Sequence, residues 1–528
     1  MPDDLTTSAS LIDILRQSVG PEGITDDLAT RSLFSQDIWS KGETAAFVVR
    51  PSSVEDLSRA AAACHRHRIA LNPRGAGMSY TNGYTPDRAG VGIIDFSRLD
   101  RIIEINTRDM YVTAEAGVTW KQLHDALAPH GVRTPFWGPL SGLTSTLGGG
   151  LSQNNAFFGA GTYGPASDSV TCLAVVLADG TLVRTGTAGM RGAKPFWRHY
   201  GPDLTGLFLG DAGALGYKAE VTFRLIPAPE HEDWASFEFA SGEACASAAA
   251  DIARTGAACE VFAFDPQLTR VRMKRASLLS DVRALGNVIM GQGSLLKGLV
   301  EGAKVAAAGR TFLDDAAWSL HVTVEGRSKA GVAEDIQRLR SICAAHAGQE
   351  TENSIPKIIR SNPFGPLNNM LGPTGERWVP VHGIVAMSQG ARALAEIEDY
   401  FATLRPRLEA GGVETGYLLT TLSTNGFLIE PVFLWPEEIF PIHEASVDAD
   451  LLRKMNRFAA NPEVTALVKE ARQGVIDIFS RQGAAHFQIG RAYPYAAQCS
   501  PETLCLLQAI KAAVDPDGLV NPGALGLE

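Results

Sequence analysis

At 528 residues the chain exceeds what one hydrophobic core supports, so two or three domains are expected, and a composition of 45% apolar and 20% charged residues with 53 glycines excludes fibrous and disordered classes. The formal net charge of -11 argues against nucleic acid as a partner, because there is no basic excess to meet phosphates. Met1-Pro-Asp-Asp-Leu-Thr-Thr-Ser8 lacks the basic and apolar regions of a secretory signal, and no stretch approaches the roughly eighteen apolar residues of a membrane span. The seven cysteines are scattered without a ligand spacing, so reduced thiols, a cytoplasmic location and no metal centre are expected.

Along the chain, a short helix is expected at Ser10–Val19, then a strand at Phe47-Val-Val-Arg-Pro51. Ser53 caps a run of helical spacing to about His67, and Ile69-Ala-Leu71 returns as a strand. That strand delivers the first glycine-rich loop, Asn72-Pro-Arg-Gly-Ala-Gly-Met-Ser-Tyr80, and Gly92–Phe96 is the next strand. Glycine backbone can approach a ligand without a Cβ in the way, so this loop reads either as a turn or as a phosphate cradle. Tyr111–Gly117 is a strand, and Thr119 caps a helix that ends before Gly131. The stretch from Thr134 to Pro165, which contains Ser145-Thr-Leu-Gly-Gly-Gly150, has little periodicity, and so long a loop in a compact domain suggests binding. Val170–Ala178 and Thr181–Thr185 flank the hairpin signal Asp179-Gly180, and Ala219–Ile226 is a further strand.

The texture changes at Pro227-Ala-Pro-Glu-His, where a domain boundary is expected. An Ala-rich helix at 242–255 and apolar helices around 276–308 follow, with Gly291-Gln-Gly293 read as a helix break. Strands at Trp318–Glu325 and Val379–Ala386, helices at Val332–Ala345 and Ala391–Leu408, and a hairpin of Tyr417–Ser423 with Phe427–Trp435 across Asn425-Gly426 predict an α+β domain. Pro462–Ser480 is amphipathic and closes at Gly483, His486–Tyr495 is short and aromatic, and Ser500 caps a last helix to about Val514. No dinucleotide fingerprint opens a helix after a strand, and the phosphate-binding Gly-Lys-Ser/Thr, His-Glu-x-x-His and Gly-x-Ser-x-Gly patterns are missing.

Arg74-Gly-Ala-Gly-Met-Ser-Tyr-Thr-Asn-Gly83, Ser145–Gly150, Tyr163-Gly164, Asp203-Leu-Thr-Gly-Leu-Phe-Leu-Gly-Asp-Ala-Gly-Ala-Leu-Gly216 and Asp515-Pro-Asp-Gly-Leu-Val-Asn-Pro-Gly523 together resemble the FAD-linked oxidases of the vanillyl-alcohol oxidase and p-cresol methylhydroxylase type. The resemblance implies a two-domain α+β FAD-binding fold: an N-terminal segment at 1–39, an FAD-binding domain at 40–228, a cap or substrate domain at 229–484, and a segment at 485–528 returning to the FAD domain. It implies FAD contacts from Pro73, Arg74, Gly75, Ala76, Gly77, Met78, Ser79, Ser145, Thr146, Gly148, Gly149, Tyr163, Gly164, Gly216, Ala219 and Asn521. Met78 stands where many members carry a histidine bonded to the flavin, and the linking position in the cap falls near Gly426-Phe427, so noncovalent FAD is expected.

By the same resemblance, Arg491 and Tyr80 would hold a substrate anion. Tyr493 and Tyr495 lie close enough in sequence to line the same cavity, and Trp137, Phe157 and Phe158 in the long loop are read either as packing residues or as an aromatic wall. His486 is read either as a general base or as a satisfied core residue. Gly490 and Leu140 replace a tyrosine and an aspartate of the phenol-oxidising members. The expected activity is oxidation of an alcohol or benzylic carbon of an aromatic, phenolic compound. A D-2-hydroxy acid dehydrogenase and a non-catalytic flavin-binding protein are the alternatives. Oxygen, a cytochrome or a quinone could reoxidise the flavin, and a homo-oligomer is left open.

Overall fold

The strand that delivers the first glycine loop runs from Leu71 to Arg74, two residues later than the apolar run Ile69-Ala-Leu71 implies. The shift has a tertiary cause: Leu71 N–H donates to Leu519 O at 2.8 Å and Asn521 N–H to Leu71 O at 2.9 Å, so distant residues complete the strand's hydrogen bonding. The computed structural model describes residues 4–271 and 317–527; the apolar helices expected around 276–308, with Gly291-Gln-Gly293, lie outside the described residues.

The chain divides into two units. The first comprises Met1–Asn155, Pro165–Ala228 and Phe487–Glu528. Its four-stranded sheet has the order Ile24–Thr25, Val48–Val49, Gly92–Asp95, Leu71–Arg74, with the last three strands parallel. The helix Val54–Arg66, capped by Ser53, makes the crossover between two of them, and its Val54, Leu57, Ala60, Ala61 and Cys64 enter the core beside Leu71, Ile94 and Val520. A second, antiparallel sheet has the order Ile102–Asn106, Tyr111–Glu115, Tyr217–Arg224, Val170–Val176, Leu182–Arg184. Asp179-Gly180 turns its last hairpin, with Gly180 at φ +88°.

The C-terminal segment is held by a buried cation. Lys511 Nζ donates to Asp515 at 2.5 Å, Ala214 O at 2.8 Å and Val520 O at 2.9 Å, so all three ammonium protons have acceptors. Lys511→Met would leave Asp515 buried without its cation, and we expect a loss of about 3–5 kcal/mol in urea unfolding monitored on the full chain.

The second unit comprises Ala156–Gly164 and Pro229–His486. Its antiparallel sheet has the order Gln349–Thr351, His231–Phe239, Trp318–Gly326, Glu260–Phe264, Glu414–Leu422, Gly426–Trp435, Arg377–Pro380, with Gly383–Ala386 also paired to Gly426–Trp435. Val379–Ala386, read as one strand, is two, broken where Val381 N–H turns to Pro431 O at 2.8 Å. The hairpin expected to turn at Asn425-Gly426 turns instead over Ser423, Thr424 and Asn425, because Gly426 pairs with Leu422 and Ser423 takes the positive φ of 51°. Helices Gly242–Thr255, Lys329–Ala345, Gly390–Ala410 and Pro462–Arg481 pack in this unit.

Residues 156–164 were read as part of one continuous loop, yet they are stitched into the second unit. Gly161 N–H donates to Cys259 O at 2.9 Å, Gly159 N–H to Glu260 Oε1 at 2.9 Å, and Ser423 N–H to Ala160 O at 2.8 Å. A Cβ on Gly161 would lie 2.7 Å from Ala258 O, so only glycine permits this approach. Glu260 is in turn paired to Arg360 at 2.7 Å, and Arg360 also meets Glu325 and Glu232.

Candidate cofactor site

The two glycine-rich stretches, some seventy residues apart in sequence, meet in the first unit. A Cβ on Gly75 would collide with Thr146 Oγ1, and one on Gly149 would lie 3.0 Å from Thr146 Oγ1 and 4.0 Å from Gly75 Cα. Their chemistry differs. Leu147–Ser152 is a short helix capped by Thr146, and its N–H groups are already used: Leu147 donates to Val118 O, Gly148 to Ala116 O and Gly149 to Thr146 Oγ1. Its glycines serve close packing, since a Cβ on Gly148 would lie 2.7 Å from Ala116 Cβ and one on Gly150 2.7 Å from Trp120 Nε1.

The first loop is the opposite case. Among the described residues, the backbone N–H groups of Gly75, Ala76, Gly77, Met78 and Ser79 donate to no acceptor, while the carbonyls of Gly75, Gly77 and Ser79 all accept. A half-buried run of N–H donors without acceptors is an anion cradle, and it suits a phosphate group. Thus Leu147, Gly148 and Gly149 do not offer the backbone donors that both glycine-rich stretches were expected to offer. Ser145 supports from outside the cradle, its hydroxyl 2.6 Å from that of Ser141 and its carbonyl accepting from Trp120 N–H.

Other expected contacts are differently employed. A Cβ on Gly216 would lie 2.6 Å from Val175 Cγ1, and Ala219 is fully buried in the sheet core, so both are packing positions. Pro73 is approached by Gly213, where a Cβ would lie 2.6 Å away and φ is +69°. Asn521 donates from Nδ2 to Gly83 O at 2.8 Å and Ala212 O at 2.7 Å, and its Oδ1 accepts from Arg491, which leaves its amide no donor for a cofactor. Tyr163 and Gly164 lie in the second unit, at the end of the helix Ala160–Tyr163.

Arg491 requires a correction. Its Nε donates to Pro522 O at 3.2 Å, Nη1 to Asn82 O at 2.5 Å and Thr85 O at 3.2 Å, and Nη2 to Asn521 Oδ1 at 2.8 Å and Pro522 O at 2.6 Å. Five N–H donors meet five interactions within the chain, so the guanidinium clamps the end of the first loop to the C-terminal turn and has no donor left for a substrate anion. Gly490 beside it has φ +54° and a Cβ there would lie 2.5 Å from Thr81 Oγ1, which explains sterically why no tyrosine stands at that position.

Tyr80 is buried, and its hydroxyl accepts from Gln488 Nε2 at 2.9 Å, a partner not foreseen from sequence. Tyr493 is buried, and Tyr495 packs on the small cluster of Ala524, Leu525 and Leu527. Trp137 stacks near His124, with ring centroids 5.2 Å apart. In the second unit, Phe158 is 1% exposed and meets Phe157 and Phe364 edge-on at 4.9 and 6.0 Å. His486, also in the second unit, donates from Nδ1 to His382 O at 2.7 Å, which fixes the tautomer that leaves Nε2 basic. Burial pulls its pKa down to about 4, so the ring is neutral across the physiological range. Among the described residues, no group of three or more His, Cys, Asp or Glu side chains could hold a metal, and no helix is long and apolar enough to cross a membrane.

Two expectations follow. Arg491→Met should cost about 3–5 kcal/mol in urea unfolding, because the clamped carbonyls lose their donors, while the KM for an anionic substrate stays unchanged in protein that remains folded. For His486, the unfolded ring takes up a proton below its ordinary 6.5 and the folded ring only near 4, so folding stability should fall as pH drops through that window, by up to about 3 kcal/mol, and level off below it. Denaturant titrations of His486→Gln against the parent from pH 7 to 4 should show this slope flattened.

Residues 45–186 match the family described as FAD binding domain, and residues 490–525 that of FAD linked oxidases, C-terminal domain. The chain is 30% identical over 239 residues to the glycolate oxidase subunit GlcD of Bacillus subtilis (strain 168), covering 45% of this chain and 49% of that one. It is 31% identical over 248 residues to a probable mitochondrial D-lactate dehydrogenase of Danio rerio, covering 47% and 48%. The chain thus matches about half the length of these curated relatives. Among solved structures, p-cresol methylhydroxylase with substrate bound has a TM-score of 0.71 at 18% identity, covering 99% of this chain and 97% of that one. The isoeugenol complex of 4-ethylphenol oxidase from Gulosibacter chungangensis has a TM-score of 0.71 at 16% identity, covering 100% and 99%.

Proposed function

We propose that this chain, which belongs to the FAD-linked flavoproteins with the p-cresol methylhydroxylase fold and takes FAD as its cofactor, is an oxidoreductase acting on an alcohol or benzylic carbon of an aromatic, phenolic substrate. The observation that carries the redox assignment is the loop Gly75–Ser79, whose acceptor-free N–H groups suit the diphosphate of FAD. FAD, when bound, supplies the hydride acceptor.

The chain's own residues then have limited tasks. Gly75–Ser79 hold the diphosphate, with Thr146 and Gly149 packed beneath them. Tyr80, whose hydroxyl accepts from Gln488 Nε2, is the candidate contact for a substrate oxygen. The phenolic class is supported by Tyr80 and by the p-cresol and 4-ethylphenol enzymes that share the fold. D-2-hydroxy acids are the second class, favoured by the glycolate oxidase and D-lactate dehydrogenase relatives.

We further propose that FAD is held noncovalently, because Met78 offers no nucleophile in the first loop and Phe427, fully buried against Gly390, offers none in the hairpin. Acid precipitation should release the yellow chromophore into the supernatant, and colour retained in the pellet would refute this. Anaerobic mixing with a substrate panel decides the reaction: bleaching of the flavin by vanillyl-type alcohols or alkylphenols is the expected result. Bleaching by D-lactate or glycolate instead would establish the hydroxy acid class, and bleaching by neither would point to flavin binding without catalysis. Readmitting oxygen, a cytochrome or a quinone to the reduced protein then identifies the electron acceptor.

A further inference from the structure

The donors of the cradle are turned outward by two side chains beneath it. Arg74 Nη1 donates to Gly75 O at 3.2 Å, and the Tyr84 hydroxyl lies 2.8 Å from Gly77 O, sharing its proton with Gln36 O at 2.7 Å. In a trans peptide the N–H of each residue points opposite to the preceding carbonyl. Tying back the carbonyls of Gly75 and Gly77 therefore aims the N–H groups of Ala76 and Met78 away from the two braces. The braces adjoin each other, with the guanidinium 4.0 Å above the Phe34 ring and 5.5 Å from the Tyr84 ring centroid. A Cβ on Gly77, where φ is +80°, would strike Arg74 Nη2 and lie 3.0 Å from the Tyr84 hydroxyl, so the loop backbone packs directly against both braces.

Arg74 is also a cation in want of an anion. It is 7% exposed, no carboxylate pairs with it among the described residues, and its Nε has no acceptor. The aromatic faces of Phe34 and Tyr84 compensate in part, but a buried guanidinium without a counter-ion is costly.

Resting on the assignment of FAD to this loop, we propose that Arg74 and Tyr84 are positioning residues for the diphosphate: they preset the N–H groups of Ala76 and Met78 as its donors, and Arg74 contributes the buried positive charge that the diphosphate neutralises. The prediction is specific to phosphate. Tyr84→Phe keeps the ring that stacks on Arg74 and removes only the hydroxyl that braces Gly77. Arg74→Gln removes the charge, and Arg74→Lys restores it without the planar fork.

The test measures affinity by flavin fluorescence for FAD and for riboflavin, and by competition for ADP, on the full chain. Tyr84→Phe should weaken FAD and ADP about tenfold, as expected for one lost hydrogen bond to a preset loop. Arg74→Gln should weaken both by more, Arg74→Lys should recover part of that loss, and riboflavin affinity should be unchanged in all three. Equal weakening of riboflavin, or unchanged FAD and ADP affinity in both Tyr84→Phe and Arg74→Gln, would overturn the proposal. If Arg74→Gln does not fold, Tyr84→Phe alone decides by the same comparison. A parent protein that binds riboflavin, FAD and ADP with no measurable affinity would instead refute the FAD assignment itself.

Discussion

A peptide group cannot turn its carbonyl inward without turning the next N–H outward, and the loop Gly75–Ser79 of this protein is an application of that constraint. Three carbonyls of the loop Gly75–Ser79 are tied down, by Arg74, by Tyr84 and by Ile38 N–H, and the loop's five N–H groups find no partner among the described residues. Everything around the loop keeps it in this conformation. Thr146 and Gly149 close one side, where only glycine at position 75 fits. Arg491, Asn521 and the Leu71–Val520 bridge fasten its two ends to the C-terminal segment.

Arg491 shows how a residue of the expected chemistry can be recruited for architecture. A guanidinium in a segment with Tyr493 and Tyr495 suggests anion binding, and its planar fork would serve a carboxylate or phenolate well. The same fork serves main-chain carbonyls equally well when a turn presents several at once, and here Asn82, Thr85 and Pro522 do so. Tyr80, by contrast, meets a side chain, Gln488 Nε2, rather than main-chain carbonyls. In the second unit, burial keeps His486 neutral and His382 O sets its tautomer, a state unsuited to providing positive charge.

The glycine loops illustrate what was legible and what was not. Both were visible as unusual runs, and the motif order pointed to an FAD-linked fold. That Gly75–Ser79 presents donors whereas Gly148–Gly150 packs against Ala116 and Trp120 was hidden, because a glycine spared for ligand approach and one spared for helix packing look identical in sequence. Likewise, the hairpin signal at Asn425-Gly426 located the right connection but the wrong turn, since the pairing of Gly426 with Leu422 depends on strand register. The connection at Asp179-Gly180 departs in the same way: Leu177 N–H donates to Thr181 O, so the loop holds Ala178, Asp179 and Gly180 rather than two residues.

The sequence by itself determined the local elements with capping residues and clear periodicity, such as Ser53 before Val54–Arg66 and Ser500 before Pro501–Val514, because those depend on contacts within a few residues. It also determined the identity of the cofactor class, through several motifs in a fixed order. Only the tertiary structure decided which polar groups were already satisfied. That Arg491 is consumed by carbonyls, that Asn521 ties Gly83 to Ala212, and that Tyr84 stands under Gly77 all rest on partners that lie far away in sequence or on a fold-dependent turn. Whether a hydrogen-bonding group is available to a ligand depends on whether the fold has already given it a partner, and no local pattern records that.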